Sequence, residues 1–260
     1  MKKNTYFLLA AIILSLQLGC ENVIYVSQTA TGGGSGDDWE NACTSITQAL
    51  NASNEMGADI WVASGQYHET IQMKQDIAIF GGFLGNEENR EERNWQKNVT
   101  IIDGAGFDAS PVSAIDIDIA ESSGLIAELN GFTIKGAQKS GIYCTNSSPA
   151  IVNCLITNNS AKEGGGIYCN RSSPTVTFCT ISDNIAEQGA GLFCSNSSPR
   201  ITSCVIAGNT AISGSGMYCQ DQSFPGLINC TLSDNPGNGI ECWSGSFATL
   251  LNCIVWNPGV

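Results

Sequence analysis

Apolar and polar residues alternate in short segments through the second half of the chain, and the whole pattern repeats every 25 residues. Each repeat has three β-rich pieces separated by turn residues, as at residues 166–169, 175–178 and 179–182. In the first piece, alternation places Ile167 and Cys169 on one face and Tyr168 on the other. No piece is long enough for a helix. The pattern therefore predicts stacked β coils that bury their inward side chains against neighbouring coils.

Adding the period to an inward position gives a row of apolar residues, and three such rows run through the repeats. The first row contains Ile142, Ile167, Leu192, Met217 and Ile240. The second contains Ile151, Val176, Ile201, Leu227 and Leu250, and the third contains Ile156, Ile181, Ile206, Leu232 and Val255. Three rows predict a coil with three sides.

Polar residues also recur at the repeat period. An asparagine row is formed by Asn159, Asn184, Asn209 and Asn235. We expect their side-chain amides to bond to one another and to backbone groups along the stacking direction. Ser-Ser-Pro recurs at residues 147–149, 172–174 and 197–199, where proline ends a strand and shapes the corner.

The region before the repeat predicts an irregular continuation of the same coil. Residues 45–56 predict a helix, with Thr44 or Ser45 as N-cap and Ile46, Ala49 and Leu50 on one face. This helix would cover the open end of the coil, which otherwise exposes strand edges. Residues 60–63, 77–80, 99–102 and 114–119 predict strands, and the polar segment 85–95 predicts a solvated loop.

The combination of GGGIYC, SSP and C-T-I-x-x-N resembles the right-handed parallel β-helix repeats of bacterial surface proteins, including the GGAI and FxxN repeats of polymorphic outer-membrane proteins. Upstream, IYVSQTATGGGSGDDWENACTSITQAL and REERNWQKNVTIIDGAG resemble the N-terminal part of the same exported proteins. The resemblance implies an all-β fold of the pectate-lyase-like superfamily. That fold is a single-stranded right-handed parallel β-helix, a three-sided solenoid with a short N-terminal capping helix.

The N-terminus has the features of an export signal. Lys2 and Lys3 precede an apolar run at residues 6–18, which is too short to favour a spanning helix. Residues 1–19 therefore predict a signal peptide and an exported protein of the cell envelope, outer membrane or medium. Gly19-Cys20 resembles a lipobox, but Gln17 and Leu18 depart from the usual pattern, so lipidation of Cys20 stays open. A lipid there is the membrane attachment that the sequence allows.

The remaining chain divides at the start of the regular repeat. Residues 20–129 are expected to form the cap and the irregular coils, and residues 130–260 the regular 25-residue repeats, with an uncapped end.

The chain has 11 basic and 24 acidic residues, and removing residues 1–19 takes away two lysines, which changes the net charge from −13 to −15. This charge excludes nucleic acid as an expected partner. The sequence makes no prediction of oligomeric state.

Ten cysteines belong to the repeat. Cys144, Cys154, Cys169, Cys179, Cys194, Cys204, Cys219, Cys230, Cys242 and Cys253 follow one another at spacings between ten and fifteen residues. No CxxC occurs and His68 is the single histidine, which argues against a zinc site. Two interpretations remain: rows of free thiols that fill space as small apolar groups, or disulfides formed in an oxidising compartment. We favour the free thiols.

The outward positions of the first β-rich piece form an aromatic row. Its members are Tyr143, Tyr168, Phe193 and Tyr218. Aromatic rings repeated at strand spacing suit the apolar faces of sugars, and solenoids bind extended ligands along one side, so this row is the candidate polysaccharide-binding surface. The alternative is a row that stabilises the sheet by stacking on itself.

Clustered carboxylates in the irregular coils give a weak calcium hypothesis. Asp116 and Asp118 would share a face of the strand predicted at 114–119, with Asp103 on a neighbouring coil. A solvated strand face is the interpretation that we favour. Calcium would suit the pectate-lyase-like enzymes that the fold resembles, yet no lyase motif is present, and a lyase needs a base such as lysine or arginine. The near-uniform repeats favour a non-catalytic surface or cell-envelope protein, for which polysaccharide binding and adhesion both stay open, over a lyase or hydrolase of acidic polysaccharides.

Overall fold

The computed structural model describes residues 23–53, 57–116 and 127–257. In these residues the chain winds as a three-sided parallel β-helix with one long sheet on each side. Seven successive coils within the described ranges contribute one strand to each of the three sheets. The predicted fold class is therefore confirmed.

Strands are numbered in chain order, and each complete coil contributes one strand to each long sheet. Sheet A contains β1 (Val23–Val26), β2 (Ala58–Ala63), β5 (Ile77–Phe83), β8 (Glu128–Asn130), β11 (Ala150–Val152), β14 (Thr175–Thr177), β18 (Arg200–Thr202), β22 (Gly226–Ile228) and β25 (Thr249–Leu251). Sheet B contains β3 (Gly65–Tyr67), β6 (Thr100–Asp103), β9 (Phe132–Lys135), β12 (Leu155–Thr157), β15 (Thr180–Ser182), β19 (Val205–Ala207), β23 (Thr231–Ser233) and β26 (Ile254–Trp256). Sheet C contains β4 (Ile71–Gln72), β7 (Val112–Ile115), β10 (Ile142–Thr145), β13 (Ile167–Asn170), β17 (Leu192–Ser195), β21 (Met217–Gln220) and β24 (Ile240–Cys242).

The three predicted apolar rows form the core. Ile142 pairs with Ile167 and Ile167 with Leu192 in sheet C, and the other two rows keep the same register in sheets A and B. Burying each aliphatic side chain contributes about 1.5–3 kcal/mol to folding. In the last coil, Leu250 and Val255 continue their rows but are 40% and 48% exposed.

Each corner of the coil contains a residue with positive φ followed directly by a buried residue of a stacked row. At the corner after sheet B, Asn159, Asn184, Asn209 and Asn235 stack as predicted. Nδ2 of Asn184 donates to Oδ1 of Asn209 at 3.0 Å and to the carbonyl of Ile156 at 3.0 Å. The asparagine row therefore links coils through side chains as well as strands.

The corner after sheet C uses the first serine of each Ser-Ser-Pro motif in the same way. The backbone N–H of Ser147 donates to Oγ of Ser172 at 3.1 Å, and that of Ser172 donates to Oγ of Ser197 at 3.1 Å. These serines are buried. They satisfy backbone donors that the strands leave free at the turn.

The repeat cysteines form two rows, which are buried except for the last member of each, Cys242 and Cys253. The first cysteine row, Cys144, Cys169, Cys194, Cys219 and Cys242, lies in sheet C in direct register. The second cysteine row, Cys154, Cys179, Cys204, Cys230 and Cys253, lies at the corner between sheets A and B, where the thiol of Cys179 donates to the carbonyl of Ile151 at 3.4 Å. All the described cysteines are free thiols, in agreement with the interpretation that we favoured.

The predicted capping helix is present as α1 (Ile46–Ala52), and Ser45 is its N-cap. Oγ of Ser45 accepts from the N–H of Gln48 at 3.1 Å. Ile46, Ala49 and Leu50 are buried against the first coils, as the sequence predicted. The helix ends before residue 53, and residues 54–56, which completed the prediction, lie outside the described residues.

The irregular coils depart from the prediction in two places. The strand predicted at 114–119 is β7, which ends at Ile115, and residues 117–119 lie outside the described residues. Asp116 follows β7 in a turn with φ of 49°, in the corner column that continues with Asn146. The segment 85–95 is not a fully solvated loop, because the carboxylate of Glu87 is buried and accepts from the N–H groups of Leu84 and Gly85.

A fourth sheet was not predicted. β16 (Ile185–Gln188) and β20 (Thr210–Ser213) pair in parallel beside the main coil, in the connections that lead from sheet B to sheet C. Ile185 and Ile212 on these strands are 58% and 84% exposed. The corresponding repeat residues were read as turns because their pattern lacks buried apolar alternation.

Candidate functional site

The aromatic row is a continuous stack of rings on the outer face of sheet C. Tyr143 pairs with Tyr168, Tyr168 with Phe193, and Phe193 with Tyr218 in the strand register. Adjacent ring centroids are 4.9, 5.3 and 5.7 Å apart, and the ring planes are 2°, 5° and 4° from parallel. Each inner ring therefore has both faces covered by its neighbours.

The chain also covers the side of this row. Gly189, with φ of 61°, passes so close that a Cβ there would lie 3.0 Å from Cα of Phe193, and Gly164 approaches Cβ of Tyr168 in the same way. Phe193 is 1% exposed and Tyr218 is 7% exposed. The central and far rings are thus packing elements, and their faces are not free to contact a sugar.

Tyr143, the first ring of the row, has a different environment. Its partner in the preceding coil is Ser113, and the partner of Ser113 in the coil before that is Gln72. Neither residue has an aromatic ring that could cover the face of the Tyr143 ring that points away from Tyr168. Among the residues that the structure describes, the aromatic row therefore ends at an open position beside α1.

A groove of about 810 Å³ lies at this open position. Its floor is the outward column of sheet C, one wall is α1, and the other wall is the loop that follows β6. It is lined by Thr47, Leu50, Asn51, Thr70, Ile71, Gln72, Lys74, Asp108, Ala109, Ser110, Ser113, Ile115, Lys139 and Tyr143. The lining combines one aromatic ring with hydroxyl, amide and charged groups, which is the mixture that fixes the orientation of a polar ligand.

Two lysines supply positive charge to the groove of an acidic protein. Nζ of Lys139 lies 3.4 Å from Oδ1 of Asp108, and both side chains are largely exposed. Nζ of Lys74 donates to the carbonyl of Leu50 in the last turn of α1. Because exposed ion pairs are weak, separating Lys139 from Asp108 costs little free energy.

The helical wall of the groove is tied to the coil by Glu69. One carboxylate oxygen accepts from the N–H of Ile46 at 2.9 Å, and the other accepts from the N–H of Thr47 at 2.9 Å. These are free donors of the first turn of α1, and a carboxylate there also interacts favourably with the helix dipole. Glu69 thus fixes the position of Thr47 and Asn51 in the wall.

The three aspartates of the calcium hypothesis are not assembled in the described residues. Asp103 ends β6 in sheet B, accepts from Nε2 of Gln66 at 2.6 Å and lies 3.9 Å from Nζ of Lys135. Asp116 follows β7 of the same coil and accepts from Nδ2 of Asn146 at 2.7 Å. The expectation that Asp103 lies on a coil next to Asp116 was wrong, because β6 and β7 are successive sides of one coil. Asp118 lies outside the described residues.

No three His, Cys, Asp or Glu side chains in the described part of the chain are grouped to hold a metal ion. In the two cysteine rows, burial raises the pKa of Cys179 and Cys194 well above the ordinary value, and the neighbouring thiols raise it further. Burial thus favours the neutral form of these two thiols. The predicted signal peptide at 1–19 and the lipidation site Cys20 lie outside the described residues. No helix within the described ranges is long and apolar enough to cross a membrane.

Sequence comparison identifies the architecture. A family model described as the right-handed β-helix region matches residues 94–255, which is more than half of the chain. The chain belongs to the right-handed β-helix family. A search of curated protein sequences finds no match.

Solved structures similar to this β-helix protein include two that act on pectic polymers, by their names. The crystal structure of the pectate lyase Pel9A matches with a TM-score of 0.59 and 15% identity, over 84% of this chain and 55% of the lyase. The chain therefore spans about half the length of that enzyme. The pectin methylesterase from Aspergillus niger matches with a TM-score of 0.53 and 14% identity, over 90% of this chain and 85% of the esterase. At these identities the similarity shows the fold alone.

The sequence of this β-helix protein gave no direct sign of the groove. Tyr143 was identified from the aromatic row, but Ser113 precedes it by 30 residues and Gln72 precedes Ser113 by 41, so neither falls on the 25-residue period. The loops that lengthen the early coils hide the register. They also form a wall of the groove, so the irregularity itself was the available signal.

Proposed function

We propose that this β-helix protein is exported and binds a polysaccharide in the groove between α1 and sheet C, without cleaving it. The observation that carries the proposal is the open face of Tyr143 in a groove with hydrogen-bonding walls. A sugar ring has an apolar face of C–H groups and a polar edge of hydroxyls. An aromatic ring complements the face, while amides, hydroxyls and ammonium groups complement the edge.

The regularity of the coils supports binding rather than catalysis. From β10 onward the strands keep one register through sheets A, B and C, and the corners repeat the same serine, cysteine and asparagine rows. A catalytic solenoid usually interrupts its repeat with long loops that form a cleft. In this chain the long loops precede the repeat, where they form the wall of the groove.

A lyase or hydrolase acting on acidic polysaccharide is the second candidate. Lys74 and Lys139 in the groove favour it, because their charges would attract a uronate, and a lyase needs a base to remove the proton next to the carboxyl group. The names of the similar structures, a pectate lyase and a pectin methylesterase, add an analogy of fold. Product formation separates this candidate from the first.

The test is to apply the protein to a panel of immobilised neutral and acidic polysaccharides, with and without calcium. Retention is measured together with ultraviolet-absorbing unsaturated products and new reducing ends. We expect retention on at least one polysaccharide without products, and about tenfold less retention for Tyr143→Ala. Phe247→Ala is the matched control, because Phe247 is an exposed aromatic residue outside the groove. Product formation would replace the binding function with the enzymatic one.

Export and attachment are part of the same proposal. Lys2, Lys3 and the apolar run at 6–18 support a signal peptide, and Cys20 supports attachment through a lipid. Fractionation of cells that produce the full chain tests both. A protein that stays in the cytoplasm contradicts export. If Cys20 is lipidated, Cys20→Ala moves the protein from the membrane fraction to the soluble fraction.

A further inference from the structure

We infer that the groove is a ring-stacking slot, in which one pyranose ring of the ligand takes the vacant place in the aromatic row, face to face with Tyr143 and above Ser113. This inference rests on the proposed function and specifies how the groove recognises its ligand. The slot is not an extended platform of aromatic rings, since the remaining rings of the row cover one another.

The register of sheet C locates the slot. In the outward column, Gln72, Ser113 and Tyr143 occupy successive coils, and the aromatic row continues from Tyr143 at the same position. A ring at residue 113 would lie over Tyr143 as Tyr143 lies over Tyr168. Serine is too short to fill that place, and its Oγ donates to the carbonyl of Ile71 at 3.2 Å. The groove occupies the space that the missing ring leaves.

The height of the slot suits one ring. Tyr143 and Gln72 are two coils apart, which is roughly 10 Å at the strand spacing of a sheet. A ring placed between them makes contact with Tyr143 at about 3.5–4 Å and leaves similar room on its other side. The amide of Gln72 then faces the second side of the ligand ring. Tyr143 thus contacts one face of the ligand ring, and Gln72 reaches hydroxyls at the edge of the other face.

The two walls of the groove lie beside the edge of a ligand ring in this position. Thr47 and Asn51 line the α1 side, while Ser110 and Lys139 line the opposite side. Their hydroxyl, amide and ammonium groups can donate to or accept from equatorial hydroxyls. This arrangement selects a flat pyranose with an uncrowded face, because an axial substituent on that face would keep the ring away from Tyr143.

Ser113→Phe tests the slot by filling it with a ring of the chain itself. The register places the new phenyl group on Tyr143, so we expect unchanged or higher thermal stability and at least about tenfold weaker retention on the polysaccharide that the wild type binds. Ser233→Phe is the matched control, since Ser233 is an outward serine of β23 on sheet B, away from the groove. It should bind as the wild type does.

A second pair of variants keeps the inference testable if Ser113→Phe does not fold. Tyr143→Phe retains a ring and should keep most of the affinity, whereas Tyr143→Leu removes the ring and should lose about tenfold. Wild-type affinity in either Ser113→Phe or Tyr143→Leu would overturn the slot but leave polysaccharide binding in place. Failure of the wild type to bind any polysaccharide would overturn both the slot and the proposed function.

Discussion

Asn184 and Asn209 lie one above the other at the same corner of adjacent coils, and Nδ2 of Asn184 is 3.0 Å from Oδ1 of Asn209. The same Oδ1 atom accepts from the backbone N–H of Asn184 at 3.1 Å. Both side chains are completely buried. A single amide oxygen therefore accepts from two buried groups of the preceding coil, and its loss leaves the backbone N–H and one of the two side-chain N–H groups of Asn184 without a partner.

The first prediction concerns this link. Asn209→Ala should lower the free energy of unfolding by roughly 2–4 kcal/mol, because it leaves buried donors of Asn184 unsatisfied and removes the donors of Asn209 itself. Denaturant unfolding measures the change. Asn238→Ala is the control, since Asn238 is exposed and its side chain makes an exposed hydrogen bond to Glu241. A loss below about 0.5 kcal/mol for Asn209→Ala would contradict the structural role of the row.

The asparagine row could be predicted from the sequence, because its members are one period apart. The groove could not be predicted, because the residues that line it do not follow the period. Regular coils have equal length, so addition of 25 residues leads from Ile142 to Ile167 and to the correct register. The step from Ser113 to Tyr143 is 30 residues, which is longer than the period, and no local rule predicts that length. Sequence periodicity therefore identifies core rows but not the pairing of the early coils.

The burial of outward-facing side chains was the second property that the alternation of apolar and polar residues did not predict. Alternation correctly placed Tyr168 and Phe193 on the outer face of sheet C. It did not show that the connections would pass against that face, because the turn at Gly189 depends on a backbone with positive φ. An outward residue of a strand can thus be as buried as an inward one.

The second prediction separates packing from binding within the aromatic row. Phe193→Ala should lower the free energy of unfolding by about 3–5 kcal/mol, since the ring is buried and both of its faces are stacked. At a temperature where the variant is folded, its polysaccharide retention should match that of the wild type. Tyr143→Ala should show the reverse, with a large loss of retention and a smaller loss of stability. Equal loss of retention in the two variants would show that the whole row contacts the ligand.

The third prediction concerns a corner whose residue does not suit its backbone. Phe178 has φ of 55° and is 60% exposed, while the equivalent residues of other coils have the same backbone but small polar side chains, namely Asn153, Ser203, Asn229 and Asn252. Asparagine tolerates this left-handed conformation better than a bulky residue does. Phe178→Asn should therefore raise the free energy of unfolding by about 1 kcal/mol.

Thermal and denaturant unfolding test this gain. Phe247→Asn is the comparison, because Phe247 is similarly exposed but has no positive φ. The comparison variant should show no gain. If Phe178→Asn is less stable than the wild type, then contacts of the phenyl ring outweigh the backbone strain.

The fourth prediction follows from the buried thiols. Burial is the main cause that raises the pKa of Cys179 and of Cys194 well above 9.0, the value expected in the unfolded chain. Above pH 9.0 the unfolded chain therefore loses protons that the folded protein keeps. Since the folded state then binds more protons, stability is complete below pH 9.0 and decreases as the pH rises.

Each such thiol should contribute a decrease of about 1.4 kcal/mol per pH unit above that point. Urea unfolding at pH 7.5, 9.0 and 10.0 gives the slope. Cys194→Ala should reduce the slope, because one buried thiol no longer titrates on unfolding. Met217→Leu, a buried substitution in the same sheet without a titratable group, should leave the slope unchanged. Identical slopes for the wild type and Cys194→Ala would contradict a raised pKa of this thiol in the folded protein.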